Sequence, residues 1–442
     1  MDSPPSNYSR RQIVAGALTG SALLQTMTQP GMANSAQPAE TRQGPINWQQ
    51  IRTQWVLNPR LAYFDTARFA PVMRAMLVAE YRALEAFHTD PQGFIRNNYG
   101  ATAMQSLCTR LARWLDCGAD ELCFTEGAVD GLLNYAQQLP LQAGDEIILH
   151  AQLPQAVLNF WHQQARNRGL VVKTVELPVP LPESAQVVAA FENELTDRSR
   201  ILMCSHVQPV DGSILPIHEL AMLARSHGVF SMIDGSFSLG ALQFSLRDLA
   251  CDAYGCSFAH WLNGPAATGL LYLRRDLHAA LSPAFSTSHE QLDTQHWPHL
   301  ASLRPASVIR AATQLQTLPF AMDLQEKLGR ARIEARLLEL QTYAQLQLDD
   351  LADLELLTTT QPGMHLHLLS LRPMKLDTEQ LANRLSNSDQ IIVSGMRNAA
   401  AHPSLKNVLR ISLNIYNSFD DIERLVQALR RTCVTDTCGV IW

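Results

Sequence analysis

The chain has 442 residues, 46% of them hydrophobic, and a formal charge of −6. That length accommodates two domains, or one large domain with an appendage, around a sizeable core. The acidic balance argues against a nucleic-acid partner, because phosphate binding needs a basic face.

Residues 1–36 read as a targeting segment. Ser9-Arg10-Arg11-Gln12-Ile13-Val14 is similar to the twin-arginine export motif, an apolar run follows over 13–24, and Ala33 and Ala36 supply small residues suited to cleavage. The apolar run is too short for a permanent membrane span. A basic tail is the alternative; the order of the three features favours export and hence a periplasmic location. An N-terminal segment over 37–75 then leads into a large domain over 76–310.

Within that domain, helix-like and strand-like stretches alternate. Residues 107–115 are amphipathic. Strands are expected at 145–149, 171–175, 201–207 and 229–233, with helices at 157–168 and 217–227 between them. A further strand ends near Phe258, a turn carries Gly264 and Pro265, and an apolar strand covers 270–273. This alternation predicts an α/β fold with a mainly parallel sheet, and a ligand site at the carboxyl ends of its strands. One long helix is expected over 309–348. A smaller α+β unit within 311–442 then ends in a strand at 408–412 and a helix at 418–431. Of the eight cysteines, Cys433 and Cys438 are the candidate disulfide pair of an exported protein, by proximity. Cys108, Cys117, Cys123, Cys204, Cys251 and Cys256 sit in apolar contexts and read as buried thiols. No Cys-x-x-Cys or His-x-x-x-His spacing suggests a metal site.

Residues 254–273, Tyr-Gly-Cys-Ser-Phe-Ala-His-Trp-Leu-Asn-Gly-Pro-Ala-Ala-Thr-Gly-Leu-Leu-Tyr-Leu, resemble the active-site segment of class V aminotransferases. That group includes cysteine desulfurases and isopenicillin-N-epimerase-like enzymes. The resemblance continues at 64–71, 121–134, 205–216, 232–235 and 409–417. It implies the PLP-transferase fold type I, pyridoxal phosphate (PLP) as cofactor, and a homodimer. In the family a lysine of the segment carries PLP as a Schiff base. Here Trp261, Leu262, Pro265 and Gly269 stay in register, but the lysine position falls on His260, whose imidazole cannot form that imine. The four lysines, Lys173, Lys327, Lys375 and Lys406, all lie elsewhere in the sequence.

The other positions follow from the same resemblance. Asp234 matches the carboxylate that keeps the pyridinium nitrogen protonated; capping of the next turn is the alternative. Gly127, Ala128 and Val129 match the helix start that holds phosphate, with Val129 where a hydroxyl is usual and the acid Asp130 beside it. His206 follows the strand whose polar group meets the pyridoxal oxygen, and Ser257 is a further cofactor-binding candidate. The ring-stacking position falls on Leu153, with His150 close by. Phe237 and Ala259 stand where polar groups are usual. Ser302-Leu303-Arg304 matches the stretch that reaches a second subunit's phosphate, without its threonine; Arg304 could still meet an anion. Arg410 matches the guanidinium that grips a substrate carboxylate, or else forms a structural salt bridge. His260 is either a general base or a filler bonded to backbone.

These positions point to a degenerate or repurposed exported homologue. It would bind a small carboxylated or peptide-like ligand, or a partner protein. PLP or pyridoxamine phosphate would be held without a covalent bond, or not at all. The alternative is an active transaminase- or epimerase-like enzyme with His260 as base, in a setting such as siderophore or other secondary-metabolite peptide modification.

Overall fold

The computed structural model describes residues 44–98, 101–280, 308–398, 402 and 404–435. The export motif, Ser302, Leu303, Arg304 and Cys438 lie outside the described residues, as does the side chain of Cys433. The short strand β1 (Ala62–Tyr63) comes first. A seven-stranded sheet then takes up β2 (Leu122–Thr125), β3 (Glu146–His150), β4 (Val171–Val175), β5 (Ser199–Ser205), β6 (Phe230–Asp234), β7 (Ala253–Ser257) and β8 (Gly269–Leu273). Their spatial order is β2-β8-β7-β6-β5-β3-β4. The run β4-β3-β5-β6-β7 is parallel, while β8 lies antiparallel to both β7 and β2.

Parallel strands are covered by helices on both faces, so their residues lose the polar alternation of an exposed sheet. Accordingly Ile147, Ile148 and Leu149 of β3 are all fully buried. The helix Gln155–Arg168 crosses back between β3 and β4 and stops at Gly169, whose φ of 69° is the left-handed stop that ends many helices. One face of the sheet packs Ile147, Met203, Met232 and Leu271 against Leu132, Tyr135 and Trp161. Each such fully buried side chain is worth about 1.5–3 kcal/mol. Cys108, Cys204, Cys251 and Cys256 are buried thiols, as their apolar contexts predicted, whereas Cys117 and Cys123 are only half-buried.

The single helix expected over 309–348 is a correction. Three helices occupy the stretch: Val308–Leu315, Leu318–Leu328 and Arg330–Leu348. Pro319 sits in the first turn of the second helix; having no N–H, it cannot continue the preceding helix. Gly329, at φ 85°, makes the second break. Hydrophobic periodicity is blind to both, because the apolar spacing resumes after each break.

The C-terminal region adds β9 (Leu354–Leu356), β10 (Leu368–Pro373), β11 (Ile391–Ile392), β12 (Ser394–Asn398) and β13 (Lys406–Ser412). Four of these form an antiparallel sheet in the order β12-β13-β10-β9, while β11 pairs in parallel with β1. The N-terminal segment is thereby joined to the C-terminal region. Phe64, Leu340, Leu385, Ile411, Leu425 and Leu429 form this region's own core. Asn47 onward forms one compact unit. No helix among the described residues is long and apolar enough to cross a membrane.

Candidate functional site

β5, β6 and β7 run parallel, and β2 shares their direction through the antiparallel β8. Their carboxyl ends therefore meet on one edge of the sheet, the edge where such folds hold ligands. A cavity of about 200 Å³ opens there, with Ser205 from the end of β5, Asp234 from the end of β6 and Ser257 from the end of β7 in its wall. Ser236, Phe237 and His260 also line it, and Ala67, Val129, Pro154, Val207 and Pro209 supply apolar wall.

Asp234 is buried, and its Oδ1 accepts from the Ser236 amide at 2.9 Å and the Ser236 hydroxyl at 2.6 Å. Burial raises its pKa, opposed by those two bonds. The ring-partner and turn-capping roles thus meet in one carboxylate: Oδ1 caps the turn, and the residue still lines the cavity.

The helix Ala128–Ala136 starts at Gly127, against the end of β8. A methyl at Gly269 would lie 2.6 Å from the Gly127 Cα, so glycine at 269 is what lets this helix start approach the sheet. The Ala128 N–H donates to the Ser257 hydroxyl at 3.1 Å. The Asp130 carboxylate accepts from the Glu126 amide at 3.2 Å. Val129 lines the cavity with an apolar side chain. A helix N-terminus favours anions; here one of its amides is already bonded, and Asp130 adds a negative charge.

His260 follows β7 and lines the cavity, with its ring edge-on to Phe237 at 4.9 Å between centroids. Its Nδ1 lies 3.3 Å from the Thr66 carbonyl oxygen. A carbonyl only accepts, so Nδ1 carries the proton and Nε2 keeps the lone pair. Burial, reinforced by the nearby Arg410 charge and opposed by the Thr66 bond, holds the imidazole down at about 4. The ring is neutral at pH 7.

Arg410, on β13, is buried and does not line the cavity; it stands behind Pro209, which does. Its Nη1 donates to the Pro209 carbonyl at 2.7 Å, and its Nη2 lies 3.5 Å from Asp65 Oδ1. The guanidinium is thus ion-paired inside the chain.

His206 is brought to this region but not into the cavity. Side chains alternate along an extended segment, so Ser205 and Val207 face the cavity while His206 turns away to Tyr254, its Nδ1 3.0 Å from the phenol oxygen. Burial pushes its pKa down to about 3. His150 and Leu153 are also absent from the cavity wall. His150 is buried and accepts from the Gln152 amide at 3.3 Å, and Leu153 packs in the core cluster with Trp161. Pro154, next to Leu153 in sequence, does line the cavity. Two polar site residues were not anticipated. Ser205 has a buried hydroxyl with no partner, and Ser236 bonds Asp234. The same strand alternation that excludes His206 would have selected Ser205.

Residues 63–425 match the family model described as aminotransferase class-V. Isopenicillin N epimerase of Amycolatopsis lactamdurans is 29% identical over 399 residues, covering 87% of this chain and 98% of that protein. Among solved structures, the cysteine desulfurase CsdA of Escherichia coli superposes with a TM-score of 0.72 at 23% identity, covering 88% of this chain and 98% of that one. A C-DES mutant with glycine covalently linked to its PLP cofactor superposes with a TM-score of 0.73 at 18% identity, covering 86% and 98%. These likenesses establish the PLP-dependent fold type I, with its large, mostly parallel sheet and small antiparallel C-terminal sheet.

Proposed function

The chain belongs to the aminotransferase class-V family, and from that membership we propose that it is a degenerate or repurposed member that binds a small carboxylated or peptide-like ligand, or a partner protein, and forms no covalent bond to PLP. One observation supports this reading: His260, on which the sequence resemblance puts the family's lysine, lines the cavity, and no lysine is among the lining residues. Lys173 is ion-paired with Glu146 at 2.9 Å, and Lys375 with Asp353 at 2.8 Å. Lys327 belongs to the helix Leu318–Leu328, and Lys406 opens β13. A covalently anchored PLP therefore does not fit these residues. The groups suited to non-covalent contact, Asp234 and the amides of the Gly127 turn, are partly satisfied within the chain by Ser236 and Ser257.

A second reading has one observation in its favour. Thr66 holds the proton on Nδ1 of His260, which leaves Nε2 as an acceptor, as a base in a transaminase- or epimerase-like enzyme with non-covalent PLP or pyridoxamine phosphate would require. Against it, an imidazole held at about 4 is a weak base at neutral pH. We also propose export to the periplasm, on the motif over 9–14, and a homodimer, on the family resemblance.

Titration of PLP and pyridoxamine phosphate into wild type and His260→Lys, read by absorbance, calorimetry and intact mass after borohydride, separates the two readings. Wild type is expected to show no visible band and no covalent adduct, and His260→Lys to gain both. Tight binding by wild type that disappears in Asp234→Ala would overturn the first reading in favour of the second.

A further inference from the structure

We infer that the cleft receives its ligand by a primary ammonium group rather than by an anionic end, with Asp234 as the counter-charge and His260 as a second acceptor. The inference rests on reading the cleft as a small-ligand site and deepens it by naming the group that enters. Asp234 and His260 both line the cavity.

The strongest polar atoms left open in the wall are acceptors. Both Ser236 bonds fall on Asp234 Oδ1, so Oδ2 has no hydrogen bond from any described residue and, unlike the Ser205 hydroxyl, it is not sealed. On His260 the Thr66 carbonyl fixes the proton on Nδ1, so Nε2 offers a lone pair. The donors are weak or engaged. The Ser236 hydroxyl gives its proton to Asp234, and the Ala128 amide is bonded to Ser257 Oγ. The hydroxyls of Ser205 and Ser257 remain and carry no charge. No lysine or arginine is among the lining residues. An anion entering here finds no charged donor and meets a carboxyl group. An ammonium carries three N–H donors and no acceptor, the complement of this wall.

Charge balance favours the same ligand. Asp234 is 6% exposed, and its pKa is raised by burial with no basic side chain to oppose the shift. An ammonium supplies the missing counter-charge in a poorly screened setting, where opposite charges attract strongly. No titratable neighbour competes for it. Cys204, Tyr254 and Cys256 are pushed up by burial and stay neutral, and His260, held down at about 4, is uncharged at pH 7. Arg410 does not line the cavity, and Asp65 at 3.5 Å balances its charge inside the chain. The apolar wall and the Phe237 ring suit an apolar body attached to the ammonium, and a cavity of about 200 Å³ keeps that body small.

Calorimetry with benzylamine, benzyl alcohol and benzoate on the cofactor-free protein reads the preference, since the three share an apolar ring and differ in charge. Wild type is expected to bind benzylamine about tenfold or more tighter than either of the others, the worth of one charge-assisted hydrogen bond. Asp234→Asn is expected to abolish the advantage over benzyl alcohol, with circular dichroism verifying the fold. Benzoate or benzyl alcohol bound by wild type as tightly as benzylamine overturns the inference and needs no variant. So does an unchanged preference in folded Asp234→Asn, or binding of none of the three probes. The cofactor titration is a separate measurement: a wild type that forms no PLP adduct and shows no amine preference keeps the reading of the cleft and loses the inference.

Discussion

Asp234 concentrates the electrostatics of the site at the scale of one residue. Its carboxylate is buried at the end of β6 without a basic side chain bonded to it, and burial raises its pKa above the usual 3.8. A carboxyl whose folded-state pKa is raised stays protonated where the unfolded chain has already ionised. Its contribution to stability is complete below the unfolded pKa and is lost as pH rises through the folded value. Asp234→Asn keeps the Oδ1 acceptor for Ser236 and removes the ionisation. The variant is expected to lose less stability than wild type between pH 4 and pH 8, measured by urea unfolding across that range; identical slopes would refute the assignment. Asp65, Asp130 and Asp211 shift in the same direction through burial, so the comparison with wild type isolates the Asp234 share. The motif made Asp234 visible in the sequence. His206 looked equally plausible there, and only its facing excluded it.

At the scale of the elements, the site depends on a close meeting of β8, β7 and the start of the helix Ala128–Ala136. A methyl at Gly269 would lie 2.4 Å from the Cys256 carbonyl oxygen and 2.6 Å from the Gly127 Cα. Both are backbone atoms, so no side-chain rotation relieves the clash. Gly269→Ala is expected to destabilise the protein by about 1–3 kcal/mol, the usual cost of overpacking, as read from the urea midpoint at unchanged slope. The helix start carries Val129 into the cavity wall, so any ligand affinity should fall with it. Strand positions were legible because buried parallel strands are short apolar runs between turn residues. The breaks at Pro319 and Gly329 were not, because periodicity reports which face is apolar and not whether the axis continues.

Over the whole molecule, three segments distant in sequence meet beside the site and hold His260 in place. The turn after β1 carries Asp65 and Thr66, the segment after β7 carries His260 and Trp261, and the segment after β13 carries Leu413, Asn414 and Tyr416. Trp261 Nε1 donates to the Leu413 carbonyl at 2.7 Å, and Asn414 Nδ2 donates to Asn263 Oδ1 at 3.2 Å. The Trp261 ring lies 4.1 Å from that of His367. Trp261→Phe keeps an aromatic ring but strips the Leu413 carbonyl of this donor. The expected cost is about 1–3 kcal/mol for a buried polar group left unpaired, measured by thermal or urea unfolding. A loss within a few tenths of a kcal/mol would mean that the two regions are not coupled through this bond.

The order of motifs from 64 to 417 determined the family and its fold by itself. Each motif reflects a local demand: a tight turn, a helix start, a strand-end carboxylate. The same local information drew attention to His260, and the structure brings its ring into the cavity wall. The destination of each polar group belonged to the tertiary structure. Whether Arg410 meets Asp65, whether Ser257 bonds Ala128, and whether His206 or Ser205 faces the cavity depend on contacts between residues far apart in sequence. Burial then fixes the charge state of those groups, because the low dielectric that raises Asp234 and lowers His260 exists only once the sheet, the helices and the three closing segments exclude water.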